Sequence, residues 1–94
     1  MDKEKAYRIV KIICEYYDIS FVKLTTKTGE PRINQIRKIF CLLTIFYDPR
    51  IIATILGCSR ANVYYLIRTG LEEIEINKSL SKDYENLKKL KYAI

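Results

Sequence analysis

The stretch from Ile51 to Thr69, IIATILGCSRANVYYLIRT, most constrains what this chain can fold into. Ile51, Ile52, Ile55 and Leu56 fall on one face of a short helix, because offsets of one, four and five coincide at 3.6 residues per turn. Gly57 then supplies a residue that accepts positive φ, which ends the helix. Ser59 is placed to cap a second helix, its hydroxyl accepting from a backbone N–H one turn on. In that second helix Val63, Leu66, Ile67 and Gly70 point inward. The opposite face carries Arg60, Asn62, Tyr64, Tyr65, Arg68 and Thr69, side chains of the kind that contact base edges and phosphates. The pattern reads as a helix-turn-helix over about residues 50–77. An αα-corner with no nucleic-acid role has the same local spacing, so the rest of the chain has to distinguish the two.

Charge placement favours the first. The net charge is +6, from 17 basic and 11 acidic residues. Between Ser20 and Gly70 stand Lys23, Lys27, Arg32, Arg37, Lys38, Arg50, Arg60 and Arg68, opposed only by Glu30 and Asp48. The whole excess therefore surrounds the proposed motif and both ends are neutral. A localised cationic surface fits a polyanion, whose counterions are released on contact.

The flanking segments read as helices as well. Ala6, Ile9, Ile13 and Tyr16 give an amphipathic helix over Lys3–Tyr17. Ser20 suits the cap of a short turn, Phe21–Leu24, with Phe21 and Leu24 facing the core. Thr25–Pro31 is a loop, and Pro31 is welcome at the first position of the next helix. Within Arg32–Tyr47, Ile33, Ile36, Phe40, Leu43 and Tyr47 step by three and four. Ile39, Leu42 and Phe46 add a second stripe, so this helix needs cover on several sides. Arg37 falls on its polar side with Asn34 and Cys41. Asp48-Pro49 ends it and starts the motif. The inward spacing of Val63, Ile67, Gly70 and Ile74 supports one helix from about Arg60 to Asn77, with a break at Gly70 as the alternative. Glu72, Glu75 and their neighbour Glu73 make that far end acidic and repulsive to DNA. Ser81 suits the cap of a closing helix over 82–92, whose Lys88, Lys89 and Lys91 form a solvated cationic end. The expected fold is all-α, a single domain over 1–94 of five to six helices around the helix-turn-helix.

The order of parts resembles the C-terminal DNA-binding domain of the bacterial replication initiator DnaA, a Trp-repressor-like fold. The residues that carry the likeness are the Tyr16-Tyr17 pair, the basic loop before Arg37-Lys38-Ile39, the helix-turn-helix, and the closing run Asp83-Tyr84-Glu85-Asn86-Leu87. The resemblance implies double-stranded DNA as the partner, with a recognition helix in the major groove and the basic loop on backbone and minor groove. Asn62 stands where the family has a base-reading threonine, and Ser59 and Arg60 where it has an Asp-His pair. Lys27 and Thr28 lie near its basic-loop arginines, and Arg37 near the arginine that opens its core helix. Cys58-Ser59-Arg60-Ala61-Asn62 replaces the family's Gly-Arg-Asp-His signature, so fold and DNA binding carry over but the target sequence does not.

The expected base contacts are Ser59, Arg60, Asn62 and Tyr65. The expected backbone and minor-groove contacts are Lys27, Thr28, Arg32, Arg37, Lys38, Tyr64 and Arg68. No cofactor, metal or nucleotide is expected: there is no histidine, no metal-ligand cluster and no G-x-x-x-x-G-K-[ST] run. Three scattered cysteines, Cys14, Cys41 and Cys58, read as small reduced hydrophobes rather than a disulfide framework. A charged N-terminus and the absence of an apolar span predict a cytoplasmic protein without a membrane partner. Eight tyrosines keep a second partner class in view, a homodimer or a docked host protein, with Tyr64, Tyr65 and Tyr92 as the contacts.

Overall fold

The computed structural model describes residues 2–26 and 29–92. All regular structure among them is helical: α1 (Asp2–Tyr17), α2 (Phe21–Thr25), α3 (Pro31–Leu43), α4 (Pro49–Leu56), α5 (Arg60–Ile76) and α6 (Lys78–Tyr92). α3 lies at the centre with α5 packed along it. α4 and α6 lean on α5, and α1 closes over α3 and α6.

Local chemistry explains most of the boundaries. α1 ends where Asp18 takes a left-handed φ of 54° and the Ile19 N–H reaches back to the Cys14 carbonyl at 3.0 Å, satisfying an orphan acceptor of the last turn. Ser20 Oγ accepts from the Lys23 amide at 3.1 Å and starts α2. Of the two residues expected to drop inward from α2, only Leu24 is buried. Phe21 stays at the rim, its ring 6.2 Å from that of Tyr7, because one turn of helix presents a single residue to the interior.

The helix predicted over Arg32–Tyr47 stops at Leu43. Thr44 turns its hydroxyl back onto the Phe40 carbonyl at 2.8 Å, and the Lys91 ammonium donates to the Leu43 carbonyl at 2.7 Å. The chain must also be extended by Asp48, since a proline follows. Ile45 and Phe46 therefore face solvent, and the second stripe ends at Leu42. Lys91 is correspondingly not a solvated charge but the cap of α3. Burial, with Lys88 nearby, pulls its pKa down.

Asp48 caps α4 by accepting from the Arg50 amide at 2.9 Å, and Gly57, at φ 68°, ends it. The Cys58 N–H returns to the Ala53 carbonyl at 3.0 Å. Ser59 Oγ then accepts from the Asn62 amide at 3.1 Å and launches α5. α5 runs unbroken through Gly70. A Cβ there would stand 3.2 Å from Lys38 Cβ and 3.3 Å from Leu42 Cδ1, so the glycine allows α3 and α5 to approach closely. The closing helix begins four residues earlier than predicted. Asn77 Oδ1 caps it through the Leu80 amide at 3.1 Å, which leaves Ser81 inside the helix.

The core joins Ile9 and Ile13 of α1, Ile36 and Phe40 of α3, Ile52 and Leu56 of α4, Val63 of α5 and Leu87 of α6. One polar clasp closes it. Asp83 accepts from the Tyr16 and Tyr17 hydroxyls at 3.0 and 2.9 Å, and Asn86 donates to the Tyr16 oxygen at 3.1 Å.

Candidate nucleic-acid interface

The capped start of α5 decides which side chains face outward. With Val63, Leu66 and Gly70 buried, the 100° step per residue turns Ala61, Tyr65 and Arg68 directly away from the core. Asn62 lies on one flank of that line, Arg60 and Tyr64 on the other, and all of these side chains are exposed. The Arg68 guanidinium sits 5.8 Å from the Tyr65 ring centroid, a cation–π contact that holds both side chains over the outer face.

Beside this face an open cleft of about 570 Å³ is walled by Gly57, Cys58, Ser59, Asn62, Tyr65 and Arg37. It brings three of the four expected base-contact residues together. Arg60, the fourth, does not line it; its charge helps to hold the Asp48 carboxyl below its ordinary range, an effect due first to the side-chain and backbone hydrogen bonds from Arg50. Tyr64 turns away from the cleft into a separate groove with Ile45, Tyr47 and Ile67.

The expected backbone contacts divide more sharply. Arg37 is not on a polar surface: it is 5% exposed, and its Nη2 donates to the Leu56 carbonyl at 3.2 Å. Its Nε has no partner. Cys41, one turn on, is buried too, and burial, then Cys58, pushes its thiol up to about 12 against the opposing pull of Arg37. That thiol therefore stays neutral and cannot balance the guanidinium. Arg37 acts on the end of α4, holding the turn from behind the cleft.

Lys38 is also committed. Its ammonium lies 2.7 Å from Glu73, whose other carboxylate oxygen accepts from Gln35 at 2.8 Å. The Lys38 hydrogen bond holds the Glu73 carboxyl below its usual range. Arg32 is exposed but lies over the Tyr17 ring at 5.8 Å, near Asn77 and Asp83. That is the far end of α5 from Ser59, about 25 Å away at 1.5 Å per residue. Lys27 and Thr28 lie outside the described residues.

Sequence reasoning placed the turn but not its part in the site. Gly57 and Cys58 form a wall of the cleft, and the only sequence signal for it was the glycine that ends α4. Among the described residues no group of three or more His, Cys, Asp or Glu side chains could hold a metal ion. No helix there is long and apolar enough to cross a membrane.

No protein-family model, curated protein or solved structure matches the chain.

Proposed function

We propose that this chain is a non-enzymatic, double-stranded DNA-binding protein, a regulator of transcription or replication of the DnaA C-terminal-domain type. α4 and α5 act as its helix-turn-helix, and α5 enters the major groove. The observation that carries this reading is the composition of the outer face of α5. Its first three turns expose Arg60, Asn62, Tyr65 and Arg68 beside an open cleft and carry no acidic side chain. The carboxylates Glu72 and Glu75 are held back to the last two turns, which would lie away from the phosphates.

The roles follow from side-chain chemistry. Asn62 offers the paired donor and acceptor that match adenine, and Arg60 and Tyr65 offer donors to base edges. Ser59 is engaged as a cap, so it contributes position more than recognition. Arg68 is the phosphate contact on α5, and Lys27 and Thr28 would reach the neighbouring backbone or minor groove.

Selection from a pool of random duplexes at two salt concentrations tests this. The expected result is an enriched motif whose affinity falls steeply with salt. Asn62→Ala should lose about 1–3 kcal/mol at one base position and relax preference there. Arg68→Ala should weaken all sequences alike and reduce the salt slope by about 1. Binding without a motif would reduce the reading to general DNA coating. No binding at low salt would favour a protein partner instead, a reading supported by the exposure of Tyr64, Tyr65 and Tyr92.

A further inference from the structure

The turn between α3 and α4 holds an aromatic ring in water. Phe46 is 94% exposed, whereas Phe40, six residues earlier, is fully buried. The turn is not a loose one. The Thr44 hydroxyl is bonded to the Phe40 carbonyl at 2.8 Å, and the Tyr47 N–H returns to the Thr44 carbonyl at 3.0 Å. The Lys91 ammonium lies 5.5 Å from the Tyr47 ring centroid, pinning the other side of the turn. The turn that carries the ring is thus held in a defined place.

Immediately beside it is a groove of about 170 Å³, bounded by Ile45, Tyr47, Pro49, Ile52, Tyr64 and Ile67. An apolar cavity of about 150 Å³ is enough to take up benzene, so the groove has the capacity of one phenyl ring. The molecule's own Phe46 does not fill it. Ile45 and Tyr47, on either side of Phe46 in the chain, line the groove while Phe46 points out.

We infer that this surface is a two-fold dimer contact in which the Phe46 ring of each copy seats in the groove of the other. A knob and a matching hole on adjacent residues are what an isologous interface requires, since one rotation then satisfies both contacts and closes the assembly. No charged side chain lies within Thr44–Tyr47 or lines the groove, while Lys91 stands beside it against the Tyr47 ring. That is an uncharged centre with a cation at its edge. The exposed parts of Ile45, Phe46 and Tyr64 amount to a few hundred Å² per copy, on the order of half the roughly 800 Å² that each partner of a standard interface buries. A contact of that size falls among the small, transient interfaces. Tyr64 becomes an interface residue, and Asn62, Tyr65 and the cleft stay clear of the contact.

This inference does not rest on DNA binding, and its test needs no DNA. Sedimentation equilibrium of the whole chain, up to about 1 mM, should show the mass rising from 11.1 kDa toward twice that value. Phe46→Ala should raise the dissociation constant at least tenfold and leave the monomer's melting temperature within about 2 °C, because the ring buries nothing in the monomer. Ile45→Glu, at an exposed position on the groove wall, should also weaken the dimer by tenfold or more. A wild-type chain that stays monomeric at 1 mM would overturn the assignment. So would a Phe46→Ala chain that dimerises as tightly as the parent.

Discussion

Arg37 is the residue whose surroundings most change its meaning. A buried guanidinium with one carbonyl partner and no carboxylate retains much of its desolvation cost. Its aliphatic stem, by contrast, is buried apolar surface that contributes packing. Arg37→Met keeps the stem and removes the charge, so the unfolding free energy should change by less than about 1 kcal/mol. Arg37→Ala removes the stem as well and should cost about 2–4 kcal/mol through the cavity it leaves. Denaturant titration of the two variants separates the terms, and a loss above about 3 kcal/mol for the Met variant would show that the charge itself is needed. In the sequence Arg37 looked like any other cation of the basic segment. Its acceptor is 19 residues away in the chain, on the last residue of another helix, and periodicity carries no record of such a partner. Lys38 was opaque for the same reason, being matched to a carboxylate 35 residues on. Asn62, Tyr65 and Arg68 were legible because their exposure follows from the inward spacing of their own helix.

The elements were legible where their ends are made locally. Ser20 and Ser59 are caps in the structure as predicted, Asp48 caps the helix that Asp48-Pro49 was read to start, and Gly57 ends α4 in the left-handed conformation. Of the two ends that moved, the C-terminus of α3 is set partly from elsewhere, whereas the N-terminus of α6 has a local cap that the Ser81 signal obscured. Lys91 of α6 caps α3, and α6 begins directly after α5 so that Asn77 serves both helices. The α3–α5 pairing has its own ionic tie in Lys38 and Glu73. Because the folded Glu73 carboxyl titrates below the ordinary value of about 4.3, its contribution is fully present above that value. It is lost as pH falls through the lower folded value. Glu73→Gln should reduce stability at neutral pH by about 1 kcal/mol, a value discounted for partial exposure. It should also flatten the acid limb of the stability–pH curve. Thermal melts between pH 3 and 7 check both expectations.

At the level of the whole molecule, Asp83 ties the helix at one end of the fold to the helix at the other. Two phenol hydroxyls converge on its carboxylate, and Asn86 supports one of them. Asp83→Ala should cost about 2 kcal/mol, since hydrogen bonds to a charged group are worth about 1.5–3 kcal/mol and this pair is partly exposed. Amide hydrogen exchange should then quicken in α1 and α6 together while α4 and α5 keep their protection. Acceleration confined to α6 would show that the clasp does not couple the two. The clasp also sets a schedule for synthesis. Tyr17 and Asp83 are separated by 66 positions, which a ribosome adding about 5–20 residues per second needs about 3–13 s to cover. For that interval Ala6, Ile9 and Ile13 have no α6 to lie against, and the nascent chain offers chaperones a greasy helix that the finished protein hides.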